Sequence, residues 1–170
     1  MKYLKFFILS LGLLLCSCNH NDEVPAETLM SIDQQYLPAT VEFQQSDKDF
    51  LEKAMEFNDK KFIINSLSEL STDPFGFSDA YRGIDFDNYT LLVTYKLHDW
   101  VIDTYRNRYY RNNPDKTYNW AIHVGTSTVP GETVDDTLYF TRFAILVDKV
   151  PQDTDVVMWL SLGALNWGWE

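Results

Sequence analysis

Cysteine is almost absent from this 170-residue chain: Cys16 and Cys18 are the only two, and both lie in the first eighteen residues. A domain downstream of them has no cysteine for a structural disulfide, so its core must hold it together. Histidine is scarce too, with His20, His98 and His123 far apart in sequence. Zinc needs three or four converging ligands, and no clear third is on offer. Basic residues number 14 against 25 acidic ones, a net charge of −11. Such a surface repels nucleic acid and anionic headgroups. No apolar run approaches the roughly 20 residues of a membrane-spanning helix. The longest N-terminal run, Phe6 to Leu15, is ten residues broken by Ser10 and Gly12. No catalytic or cofactor motif stands above background, which points to a non-enzymatic protein without a cofactor.

What is present at the N-terminus is an address. Lys2 and Lys5 precede the apolar run, and the chain turns polar from Asn19 through Glu23. This is the layout of a signal peptide. The stretch "LCSC", Leu15 to Cys18, resembles the lipobox of bacterial lipoproteins, where a leucine and a small residue precede the cysteine that is acylated. Cys18 fits, with Ser17 before it; Cys16 would follow the bulky Leu15. A disulfide between the two cysteines, a C-x-C metal pair and ordinary signal-peptidase cleavage are the other readings. A disulfide between such close neighbours is strained, and a metal pair lacks two further ligands. The resemblance implies residues 1–17 as signal peptide and Cys18 as a lipidated N-terminus. Two or three acyl chains, at about 0.8 kcal/mol per buried methylene, give a durable anchor. Asn19 differs from the aspartate of an inner-membrane retention signal, and Asp22 with Glu23 resembles the export signal of surface-exposed lipoproteins. The expected place is the outer membrane of a cell envelope.

Loss of the leader leaves twelve basic residues against 25 acidic ones, a formal charge of −13. The remaining length suits a tether and one domain. Residues 18–40 are polar, contain Pro25 and Pro38, and read as the acylated cysteine and a flexible tether, with the domain over 41–170. Aromatics at 15% and hydrophobics at 45% suffice to fill a core.

Within the domain, Ser46 and Asp49 open a helix over about 47–57, with Phe50, Leu51, Ala54 and Met55 at helical spacing. "KFIIN" follows as a short strand, and Ser66 with Glu69 marks a second short helix. From Tyr89 the chain reads as strands and turns. Val101–Arg111 and Thr117–Val124 form a long hairpin around "NNPDK"; Leu138–Val147 and Val156–Leu162 form a second around "DKVPQDTD". The expected fold is α+β, a mostly antiparallel sheet of about six or seven strands with one or two short helices near its start. The order "FIINSLSEL", "IDFDNYTLLVTY", "FAILVDKVP", "DVVMWLSL" resembles a group of secreted bacterial lipoprotein domains and, more distantly, the PrcB-type domain of protease-complex accessory proteins. That resemblance covers about residues 62–162 and implies a protein partner, such as a protease.

Three places invite a chemical reading. "GFSDA", Gly76–Ala80, has the look of a nucleophile elbow, but Pro74 and Gly76 stand where a buried strand should enter. Asp85 and Asp87 in "IDFDNY", and Asp153 with Asp155 at the last turn, have the alternating oxygens that calcium uses. Both lack the rest of an EF-hand loop, and such aspartates commonly cap turns. The third is the hairpin segment 104–120. It gathers Arg106, Arg108, Arg111 and Lys116 among Tyr105, Tyr109, Tyr110, Tyr118 and Trp120. Tyr, Trp and Arg dominate interface hot spots, and they also stack on sugars or grip carboxylates. Cross-strand pairing and edge protection would explain the same residues without a ligand. The candidate binding residues are therefore Tyr105, Arg106, Arg108, Tyr109, Tyr110, Arg111, Tyr118 and Trp120, with a protein or a glycan as partner. Arg106, Arg108 and Tyr110 should share one strand face.

Overall fold

The run Phe140–Val147 is apolar apart from Thr141 and Arg142, and all eight residues are buried. A strand exposed on one face would alternate, so this one must be covered on both. In the computed structural model, which describes residues 27–70, 77–113, 116–127, 136–151 and 154–164, it belongs to a sheet sandwiched between helices and a second sheet.

The described strands are β1 (Glu27–Leu29), β2 (Gln34–Gln35), β3 (Ala39–Gln44), β4 (Lys61–Ile64), β5 (Tyr89–His98), β6 (Ile102–Asn112), β7 (Tyr118–Thr126), β8 (Thr137–Asp148) and β9 (Val156–Ala164). The helices are α1 (Lys48–Phe57) and α2 (Leu67–Leu70), with a 3-10 turn at Phe77–Tyr81. The inner sheet runs β2-β8-β5-β4, and β3 continues β2 along the same edge of β8. The outer sheet runs β1-β6-β7-β9. The chain is thus mostly β with few helices, as expected.

Alternation along the inner sheet divides two cores. Leu91, Val93, Tyr95, Phe140, Ala144 and Leu146 point one way, where Phe50, Leu51, Ala54 and Phe57 of α1 cover them with Leu70, Tyr81 and Phe86. Leu92, Phe143, Ile145 and Val147 point the other way, against Tyr109, Trp120, Ile122, Val124, Val156 and Met158 of the outer sheet. Phe57 completes the helical stripe, while Met55, one residue past Ala54 and therefore about 100° round the helix, stays exposed. The helix starts are capped: the Asp47 carboxylate accepts from the Phe50 amide at 3.2 Å, and the Ser66 hydroxyl accepts from the Glu69 amide at 3.3 Å. The Glu69 carboxylate reaches back to the Asn65 amide at 2.7 Å.

Three expectations change. The described strands number nine and form two sheets, where six or seven in one sheet were expected. Residues 27–40 are not free chain: β1 pairs with β6, β2 with β8, and β3 starts at Ala39, so the domain reaches back at least to Glu27. The extra strands are too short and polar to show a period. Finally, β8 and β9 are no hairpin. Both edges of β8 are taken, by β5 and by β2 with β3, and β9 crosses to the outer sheet to pair in parallel with β7. The β6–β7 hairpin is as expected, antiparallel from Arg111↔Tyr118 to Ile102↔Thr126, with a bulge at Asp103.

Candidate functional site: the open face of the outer sheet

The strand register sorts the hairpin residues onto two faces. Tyr105↔Val124, Asn107↔Ile122, Tyr109↔Trp120 and Arg111↔Tyr118 look inward; Arg106↔His123, Arg108↔Ala121 and Tyr110↔Asn119 look outward. Parallel pairing of β7 with β9 adds Val157, Trp159 and Ser161 to the outer face, beside Asn119, Ala121 and His123. Leu29 of β1 lies beside Tyr110.

Most aromatics singled out in this segment therefore belong to the interior. Trp120 is fully buried, and its Nε1–H donates to Asn107 Oδ1 at 2.9 Å. The Tyr105 hydroxyl donates to the Tyr36 carbonyl at 2.8 Å, and burial raises its pKa. Tyr109 is buried against Tyr118, their ring centroids 5.9 Å apart, and its hydroxyl has no hydrogen-bond partner among the described residues. Desolvation pushes the Tyr109 phenol well above its ordinary range. Arg111 lies over the Tyr118 ring at 5.9 Å, and its buried Nε has no partner among the described residues. A segment rich in Tyr, Trp and Arg cannot reveal by composition which residues stack between sheets.

On the outer face Arg106 and Arg108 are exposed. Arg108 Nη2 holds Glu27 Oε2 at 2.8 Å while its guanidinium covers the Tyr110 ring at 4.9 Å. Tyr110 does share their face, but it is 9% exposed and lies beneath Arg108. Next along the face, His123 Nδ1 is 2.6 Å from Ser161 Oγ, and Trp159 stands edge-on to the imidazole at 5.4 Å. Trp159 is 40% exposed. Sequence reading weighs His123 only as a zinc ligand and does not bring Trp159 or Ser161 to this face. The signal was available: with Val156, Met158 and Leu160 turned inward, alternation sends Val157, Trp159 and Ser161 out.

Among the calcium candidates, Asp85 is engaged in a turn. Asp85 Oδ1 accepts from the Asp87 amide at 3.1 Å, and Oδ2 accepts from Asn88 Nδ2 at 2.7 Å. These bonds, chiefly the one from Asn88, lower the Asp85 pKa. Asp85 is using its oxygens to close a turn. Asp155 is exposed, whereas Asp153 and Cys18 lie outside the described residues. Among the described residues no three His, Cys, Asp or Glu side chains approach as a metal site would require. Ser78 belongs to the 3-10 turn Phe77–Tyr81, and Gly76 lies outside the described residues. A cleft beside β9, lined by Asp59, Lys61, Lys96, Met158 and Trp159, encloses about 60 Å³. Small-molecule pockets are typically ~300–1,000 Å³.

His98 is a core residue. It ends β5, is 6% exposed, and stacks on Trp100 with ring centroids 3.7 Å apart. Nδ1 faces the Trp100 carbonyl at 2.8 Å, and a carbonyl only accepts, so Nδ1 carries the proton. Nε2 then accepts from the Thr141 hydroxyl at 2.8 Å, which in turn accepts from Thr40 at 2.8 Å. Burial lowers its pKa to about 4.

No helix among the described residues is long and apolar enough to cross a membrane. No protein family, no curated protein and no solved structure matches the chain.

Proposed function

We propose that this is a lipid-anchored cell-envelope protein, held at the outer membrane through Cys18, whose domain is a non-enzymatic binding module for a protein partner. The observation that carries the reading is the open face of the outer sheet. It presents Arg106, Arg108, His123 and Trp159 together on one face of the sheet, with Glu27 paired to one of the two guanidinium groups. Flat surfaces with an Arg and an aromatic anchor suit protein recognition, whereas sugars favour grooves lined with exposed rings. The inward turn of Tyr105, Tyr109, Tyr118 and Trp120 removes most of the stacking platform that a glycan-binding accessory protein would use. The guanidinium groups favour an acidic segment on the partner. A protease or another secreted protein is the partner class that the sequence resemblance implies.

The test is capture from the native envelope by the C-terminally tagged chain, compared with an Arg106→Ala, Arg108→Ala, Trp159→Ala variant. Tyr110 is left intact because it supports Arg108 from below. A stoichiometric partner held by the parent and lost by the folded variant is expected. A partner held equally by both removes this face from consideration. For the anchor, Cys18→Ala should release the protein from membranes into the soluble fraction; retention in the membrane fraction would overturn the lipidation.

A further inference from the structure

The two sheets have four edges, and three are protected against pairing with another chain. Natural sheets blunt their edges by shortness, charge, proline or bulges. β1 is three residues long and carries Glu27. The β2–β3 edge is interrupted at Pro38 and carries Glu42. β4 has four residues and begins with Lys61.

β9, at the fourth edge, has none of these devices in its own sequence, and the charges of neighbouring elements beside it are Asp59, Lys61 and Lys96. β9 runs nine residues, VVMWLSLGA, without a charge or a proline. One side pairs with β7, and no described strand takes the other. Val157, Trp159 and Leu162 are exposed at 38, 40 and 44%. No residue from Val156 to Trp169 is charged, in a chain of net charge −11. The charges that line the cleft beside β9 are Lys61, Lys96 and one carboxylate, Asp59, so this edge does not carry the acidic excess by which two copies of the chain repel.

We propose that the free edge of β9 receives β9 of a second copy of this chain, antiparallel, about a two-fold axis. The two outer sheets then join into one of eight strands. Full overlap of the nine residues centres the pair on Leu160. On the outer face this sets Trp159 opposite Ser161 of the second copy and Val157 opposite its Gly163, each large side chain beside a small one. Inward, Met158 lies opposite Leu162. Because each copy offers one unprotected edge, the two-fold pairing consumes both and closes, giving a dimer and not a growing fibre. The dimer leaves Arg106 and Arg108 exposed on both copies but takes up Trp159 and Ser161 of the partner-binding face, so its test reads mass and not partner capture.

Sedimentation of the detergent-solubilised full chain, with the detergent density-matched, should give the mass of two chains. Val157→Lys with Leu162→Lys places at this edge the charge that protects others, and should give the mass of one chain. Trp159 is left untouched, and Arg106→Ala with Arg108→Ala should leave the mass of two chains unchanged. A parent at one-chain mass, or a double-lysine variant still at two, overturns the proposal. Hydrogen exchange on the unmodified chain gives a test that needs no variant. Amides of β9 should exchange about tenfold more slowly as concentration rises through the dimerisation range. Exchange independent of concentration, as when another segment of the same chain or another protein covers the edge, overturns the proposal.

Discussion

The two sheets are built from the same residue types, yet one is buried on both faces and the other on one. In the inner sheet β8 reads Phe140–Val147 with no exposed position, and the charge it includes, Arg142, lies over the Tyr81 ring at 4.8 Å. In the outer sheet β6 alternates, with Arg106 and Arg108 out and Tyr105 and Asn107 partly covered. The comparison teaches where recognition can reside. A side chain of the inner sheet is committed to packing, and only the outer sheet can vary its open face without a cavity. The histidines repeat the contrast: His98 is locked between Trp100 and Thr141, while His123 stands half-buried beside Ser161 and Trp159.

The largest break in this comparison comes from two tryptophans on opposite faces of the outer sheet. Trp120→Ala opens a cavity between the sheets and should destabilise by about 3–5 kcal/mol. Trp159→Ala removes a partly exposed ring and should lie below about 1 kcal/mol. Urea unfolding of both variants checks the pair, and equal losses would mean that the open face is not open. His98 gives the next effect. Its folded pKa of about 4 lies below the ordinary histidine value of 6.5, so between these values the unfolded chain binds a proton that the folded chain does not. Stability therefore falls as pH drops from 6.5 towards 4, by about 3 kcal/mol in total from this group. Above pH 6.5 the contribution is constant. His98→Gln should flatten that part of the stability-versus-pH curve, and an unchanged curve would mean that the buried imidazole does not carry it.

The sequence made the local elements legible and the partition between sheets illegible, for physical reasons. Helix α1, the β6–β7 hairpin and the run of β5 follow from period and turn signals that act within a dozen residues. The assignment of β9 to β7 instead of β8 depends on β8 having both edges filled, a fact about β2, β3 and β5 that no local window contains. For the candidate site, alternation gives the face of Arg106 and Arg108. It does not reveal that Tyr110 lies under Arg108, or that β9 carries Trp159 to His123. Asp85 shows the converse, since its spacing allowed a cation but its oxygens are engaged with Asp87 and Asn88.

A smaller change sharpens the inward face. The Tyr109 hydroxyl is buried with no partner among the described residues, and an unpaired buried hydroxyl is unfavourable. Tyr109→Phe should therefore stabilise the domain by about 1 kcal/mol, read as a higher melting temperature. A loss of stability would mean that the hydroxyl is satisfied after all.

The smallest effect on stability is expected at Glu27, and it separates folding from recognition. Its ion pair with Arg108 lies at the surface, with both side chains about half exposed, so Glu27→Gln should change stability by under about 0.5 kcal/mol. The same change releases the Arg108 guanidinium from the carboxylate that holds it. If an acidic partner segment docks there, Glu27 competes with it, and Glu27→Gln should bind the captured partner more tightly at low salt, with the gain shrinking as salt rises. Weaker binding by the variant would instead make Glu27 part of what the partner recognises, and would argue for a partner that brings its own cation to this face.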